Sequence, residues 1–244
     1  MKDNILNDVY LGEKYAYLRP YICRGNPYDA RVFLTGINPA TPIYPNQVSL
    51  DRYIEIIKDY KTFMDFYLKS RIKQNKSEVS RTRMGINSLV DWIENECNAG
   101  VVETDIFTYP TKNVKELLAI DKQILNKSIE KFWQVLLEFQ PDTIILYGSL
   151  TVDVLKKLLK DKDKQVEYFC KNEDGIEDIE KIFPFARFNI DSKNINVLAC
   201  RHLMYYGRKG NSFEELRQNI KRTLRQDKEI ERWLQNRGHE PSIL

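Results

Sequence analysis

The sequence predicts an α/β fold, a mostly parallel sheet with helices on both faces. Three features point there. Four short apolar runs, RVFLTG at residues 31–36, VVETDIF at 101–107, TIILY at 143–147 and NVLAC at 196–200, have the length and the Val, Ile, Leu and Phe content of strands covered on both sides. Amphipathic segments with apolar residues three and four apart lie between them. The two patterns alternate along the chain, the arrangement in which helical crossovers join parallel strands.

After the first strand, Tyr53, Ile56, Ile57, Tyr60, Phe63, Met64 and Tyr67 recur at three and four and predict a helix with one apolar stripe. Leu89, Trp92 and Ile93 carry the pattern into another helix, with Gly100 as its stop. Beyond the second strand, residues 124–139 form an amphipathic helix ended by Pro141. A further helix over 150–159 follows the third strand. Residues 161–184 are charge-rich, and KNEDG at 171–175 reads as a solvated insertion. Ser212 and Glu215 have the spacing of a capping box and open a long C-terminal helix. Residues 236–244 read as a loose tail, and no internal repeat is visible.

A chain of 244 residues can bury a core without staples and predicts one large domain. Its 42% hydrophobic and 30% charged content is that of an ordinary globular protein. A net charge of +3 makes no bulk case for nucleic acid, so local clustering must carry any such case. Cys23, Cys97, Cys170 and Cys200 are widely spaced with no CxxC pair, so neither a metal site nor an iron–sulfur cofactor is signalled, and reduced thiols in a cytoplasm are expected. MKDNILNDVY lacks the apolar stretch of a signal peptide, and no apolar run approaches the ~20 residues of a membrane helix.

Ligands of open parallel sheets bind beyond the carboxyl ends of the strands. After the first strand comes Asn38, between Gly36 and Pro39. The second carries Asp105 and then Phe107. The third ends at Gly148 and Ser149, where a helix should present free backbone N–H groups. Past the fourth stand Arg201, His202, Leu203, Met204, Tyr205 and Tyr206. Singly, each has an ordinary reading: turn chemistry for Asn38, a cap or ion pair for Asp105, a surface position for His202, loop packing for the tyrosines. Their shared rim is what favours function.

Four motifs resemble the uracil-DNA glycosylase superfamily. GINPA at 36–40 is similar to its first motif, closest to the mismatch-specific uracil/thymine branch. TDIFTYPT at 104–111 and QPDTIILYG at 140–148 resemble its second and third strands. LACRHLMYYG at 198–207 stands where the superfamily has a His-Pro-Ser or Asn-Pro-Ser loop, without the proline. The resemblance implies a three-layer α/β/α sandwich with a four-stranded parallel core sheet in the order 2-1-3-4. It also implies one domain over residues 1–244, with a helical, basic insertion at about 49–97 and a charged one at about 161–185.

The implied activity is excision of a flipped base from DNA by hydrolysis of its N-glycosidic bond, without a cofactor. Asn38 would hold the attacking water, and His202 would donate to the base O2 as negative charge develops. Gly36, Ile37 and Ala40 would border the base, Tyr44 or Tyr53 would form the stacking wall, and Phe107 would pack behind. The 201–207 loop would enter the duplex, with Leu203, Met204 and Tyr205 as wedge candidates. For the phosphates, Lys69, Arg71, Lys73, Lys76, Arg81 and Arg83 stand against the single acid Glu78, and Arg208 and Lys209 follow the wedge loop. Arg201 and Ser149 complete the expected contacts; a solvated loop is the plain alternative for the basic run.

Two departures from the superfamily concern the base. Uracil-specific relatives have a tyrosine where this chain has Ala40, which implies room at pyrimidine C5. The common asparagine of the second strand is here Asp105, and a carboxylate accepts from cytosine N4–H₂. A C5-modified cytosine in phage DNA is therefore the implied substrate. Uracil or mismatched-thymine repair is the near alternative, and a noncatalytic DNA-binding module of the same fold the more distant one.

Overall fold

The computed structural model describes residues 4–171 and 174–237. Part of the KNEDG stretch (172–173) and the tail from 238, with its His239, lie outside the described residues. The strands are β1 (Ile22–Cys23), β2 (Ala30–Gly36), β3 (Gly100–Asp105), β4 (Thr143–Tyr147), β5 (Val166–Tyr168), β6 (Ala186–Ile190) and β7 (Lys193–Cys200). The helices are α1 (Leu50–Lys58), α2 (Tyr60–Lys73), α3 (Arg81–Cys97), α4 (Val114–Leu118), α5 (Lys122–Phe139), α6 (Ser149–Asp161), α7 (Ile176–Ile179) and α8 (Glu214–Arg237).

All described strands join one sheet in the order β1-β3-β2-β4-β7-β6-β5. It has seven strands, not the four expected. β3, β2, β4 and β7 pair in parallel, while β1, β6 and β5 add antiparallel edges. The added strands are short or alternating. In β6, Ala186, Phe188 and Ile190 point inward and Asn189 outward, the period of two of a half-exposed strand rather than a continuous apolar run. The expected insertion after residue 161 thus supplies a sheet edge.

Successive residues of the inner strands serve opposite faces. Phe33, Val102, Ile144 and Val197 pack with Phe132, Val135 and Leu136 of α5 and Val152 and Leu155 of α6. Val32, Leu34, Val101, Ile145 and Leu198 pack with Ile86, Leu89 and Ile93 of α3 and Leu216 and Ile220 of α8. Covering both faces is what makes these strands apolar throughout.

The stripe from Tyr53 to Tyr67 divides at Asp59. Its backbone is extended and its side chain accepts from the Thr62 N–H, capping α2 (2.8 Å). The α1–α2 pair packs beside the sheet's β1 edge through Ile22, Ile56, Phe63 and Tyr67. Helix α3 ends in a left-handed Asn98 (φ 48°), and Gly100 opens β3 instead of closing the helix. The capping box at Ser212 does not form: its hydroxyl donates to the Tyr205 carbonyl (3.3 Å), and α8 begins at Glu214. The four cysteines are free thiols. Among the described residues, no helix is long and apolar enough to cross a membrane, and no cluster of three or more His, Cys, Asp or Glu is placed to hold a metal ion.

Candidate functional site

A cavity of about 440 Å³ opens at the carboxyl ends of the parallel strands. That volume lies in the range of small-molecule sites. Asn38, Asp105 and His202, from three different strand ends, all line it, as do Ile37 and Ala40.

The turn after β2 is held by backbone bonds that prolong the sheet. Ile106 N–H donates to Gly36 O (3.0 Å), Phe107 N–H to Ile37 O (2.9 Å) and Thr111 N–H to Pro39 O (3.1 Å). The two post-strand segments are thereby stitched together. The Asn38 amide nitrogen donates to Thr111 Oγ1 (2.8 Å), and that hydroxyl spends its own proton on Asn113 O (2.8 Å). Thr111 Oγ1 must then accept, so the Asn38 side chain must present its NH₂ there. Its carbonyl oxygen Oδ1 is left as an acceptor at the cavity, able to orient a water but not to deprotonate it.

Asp105 is only 8% exposed. Among the described residues its carboxylate makes no hydrogen bond or ion pair. Burial pushes its pKa up to about 7, and nearby Arg19 and Arg83 only partly counter this. Arg83 is engaged elsewhere, in a buried ion pair with Glu103. The Arg19 guanidinium stacks over Phe63 (5.3 Å) with no side-chain hydrogen bond among the described residues, and burial lowers its pKa. Gly36 pairs with Asp105 in register, and a Cβ there would collide with the Asp105 carboxylate and the Tyr147 hydroxyl. Glycine is what lets these two groups close over the strand end. Burial, then the neighbouring Asp105, pushes the Tyr147 hydroxyl well above its ordinary pKa, which keeps it a donor.

The His202 Nδ1 accepts from the Met204 N–H (3.2 Å), so a neutral ring carries its proton on Nε2. Burial lowers its pKa and favours that neutral form. The ring meets Tyr147 edge-on at 5.7 Å. Behind it, Leu203 is buried, and its carbonyl lies where a Cβ on Gly85 would fall, so glycine brings α3 against this loop.

Several expected site residues lie elsewhere. Tyr53 is a core residue, stacked on Tyr17 (4.4 Å) and donating to Leu18 O (2.6 Å). Tyr44 packs against the main core, and neither it nor the half-buried Phe107 lines the cavity. The aromatic wall comes instead from Phe63 and Tyr67 of α2, with Tyr21 and Tyr147. Arg83 is buried, and Arg71 also turns to the cavity, its guanidinium bonded to Ser77. Lys69, Lys73, Lys76 and Arg81 stay exposed, as do Arg208 and Lys209. Arg201 is held by Glu180 through its backbone N–H (3.0 Å), Nε (2.9 Å) and Nη2 (3.2 Å), which assigns it to loop anchoring. Burial removes Leu203 from the wedge candidates, leaving Met204 (37% exposed) and Tyr205 (63%). Ser149 is exposed at the start of α6, away from the cavity lining.

Sequence reasoning missed Arg19, Glu103, Thr111, Tyr147, Phe63 and Tyr67. Thr111 stood inside the TYPT motif and Tyr147 at a strand's carboxyl end, so both carried a signal. Compared with models of known families and with curated proteins, the chain matches none.

Proposed function

We propose that the protein is a DNA glycosylase of the uracil-DNA glycosylase type that excises a flipped pyrimidine, a C5-modified cytosine, and leaves an abasic site. The observation that carries this is the Asn38–Thr111–Asn113 relay, which leaves an amide carbonyl as a spare acceptor on a residue lining a cavity roomy enough for a base and also lined by a neutral histidine and a buried carboxyl. The four mutually parallel strands, second, first, third and fourth in chain order, add support as the order the superfamily resemblance implies.

Asn38 Oδ1 holds water at C1′, and His202 Nε2–H meets the charge growing on base O2. Phe63 and Tyr67 supply the aromatic wall. Ala40 leaves room at C5, and Asp105 takes the N4–H₂ edge. Met204 and Tyr205 fill the gap in the stack. Lys69, Lys73, Lys76, Arg81, Arg208 and Lys209 grip phosphates. Excision of plain cytosine would destroy the host genome, so the C5 group is required, as in defence against phage with modified DNA in the cytoplasm. A second base also suits the site: a protonated Asp105 offers one donor and one acceptor, the pattern an amide presents to uracil.

The test is single-turnover cleavage of duplexes carrying uracil, cytosine, 5-hydroxymethylcytosine or a glycosylated derivative, with abasic sites revealed by alkali. Cleavage of the modified cytosines alone, lost in Asn38→Ala with DNA binding intact, is the expected result. Fastest cleavage of uracil makes this a repair enzyme. Binding without cleavage of any duplex sinks the glycosylase reading.

A further inference from the structure

Two oppositely charged side chains in the cavity, Asp105 and Arg19, are both at least nine-tenths buried, and neither has a side-chain hydrogen bond among the described residues. Buried polar groups are normally satisfied, so an unpaired set facing a cavity marks where a ligand completes it. Arg83 cannot serve Asp105, being held by Glu103. The Tyr147 hydroxyl from β4 lies near Asp105 across Gly36 of β2 without a hydrogen bond to it among the described residues. The groups that set the charge at Asp105 are therefore Arg19 from the segment before β1, Arg83 from α3, Glu103 on its own strand and Tyr147.

We propose that Asp105 is the general acid for the leaving base, delivering its carboxyl proton to cytosine N3, with Arg19 stabilising the carboxylate that results. This rests on the glycosylase function proposed above. Cytosine presents a donor at N4 and an acceptor at N3, side by side. A protonated carboxyl matches both, its carbonyl oxygen accepting from N4–H₂ and its O–H donating to N3. Uracil can depart as an anion spread over two carbonyls. Cytosine has one carbonyl and an amino group, so it is the poorer leaving group and gains more from a proton. As C1′–N1 breaks, the bonding electrons pass into the ring, the Asp105 proton moves to N3, and the base departs neutral. The water held by Asn38 adds its oxygen to C1′ and releases a proton to solvent, from which Asp105 is reprotonated. One water is consumed, and a free base and an abasic site result. The pKa near 7 leaves a usable share of the acid form at neutral pH, where a general acid works best.

The experiment is the pH profile of excision from a 5-hydroxymethylcytosine duplex at saturating enzyme, from about pH 5.5 to 9. Wild type should be level below about 7 and then fall about tenfold per pH unit, to roughly one hundredth at pH 9. Asp105→Asn should lose this break and fall by about 10²–10⁴ on the plateau. Arg19→Gln should move the break to higher pH, because the cation that favours the carboxylate is gone. A saturating rate in wild type that does not change with pH overturns the acid role. So does a break that survives in Asp105→Asn, or one confined to the half-saturating concentration, which would make the carboxyl a reader only. No excision of any pyrimidine at any pH overturns the glycosylase function and the acid role together.

Discussion

Asp105→Asn should stabilise the folded protein, and by an amount that depends on pH. The carboxyl is 8% exposed, and its pKa moves from an ordinary 3.8 to about 7 on folding, a shift of about three units. At 1.36 kcal/mol per unit, keeping this charge buried costs at most about 4 kcal/mol. A raised pKa in the folded state means that the acid costs nothing below the unfolded value, where both states are protonated. As pH rises through about 4 only the unfolded chain ionises, and stability erodes until the folded carboxyl ionises near 7. Asparagine has the same shape and no charge. The gain over wild type should therefore grow from roughly 1.5 kcal/mol at pH 5 to about 4 kcal/mol at pH 8. For a chain of this size that difference moves Tm by about 5–10 °C. Urea unfolding of both proteins, followed by circular dichroism from pH 5 to 8, measures it directly. A gap that stays constant over that range, or a variant less stable than wild type at pH 8, would refute the burial of an ionisable acid at this position.

Other changes probe the site's remaining parts. Thr111→Val removes the acceptor that orients Asn38, so excision should fall about 10–100-fold with DNA affinity unchanged, read by single-turnover kinetics beside a binding titration. His202→Ala should slow excision by roughly 10²–10³-fold if the imidazole meets charge on the base. A loss below tenfold returns it to a packing role. Replacing Lys69, Lys73 and Lys76 with glutamine should weaken binding to all duplexes alike and lower the slope of log affinity against log salt by about 3, measured by fluorescence anisotropy. An unchanged slope would mean that this end of α2 faces away from DNA.

The four parallel strands were legible because burial on both faces leaves an uninterrupted apolar run. β1, β5 and β6 were not, since a two-residue edge, a three-residue exposed strand and an alternating strand leave too little apolar sequence to count. Asn38, Asp105 and His202 could be placed on one rim because parallel strands end on the same side of a sheet. The cavity's far wall was harder. Phe63 and Tyr67 have the helical period of any core stripe, and nothing local says whether a stripe faces sheet or cavity. Arg83 had a readable signal, for it continues the stripe of Ile86, Val90 and Ile93 into the helix's first turn. Its place in a basic run pointed outward and masked that phase.

The contact between Gly85 and the Leu203 carbonyl has one more consequence. Because α3 packs against the loop from behind, the entropy lost in ordering the chain beside His202 is surrendered once, when the protein folds. What stays free to adjust at the rim is only the exposed pair beyond it, Met204 and Tyr205. Under the function proposed above, the donor would therefore be in place before a base arrives.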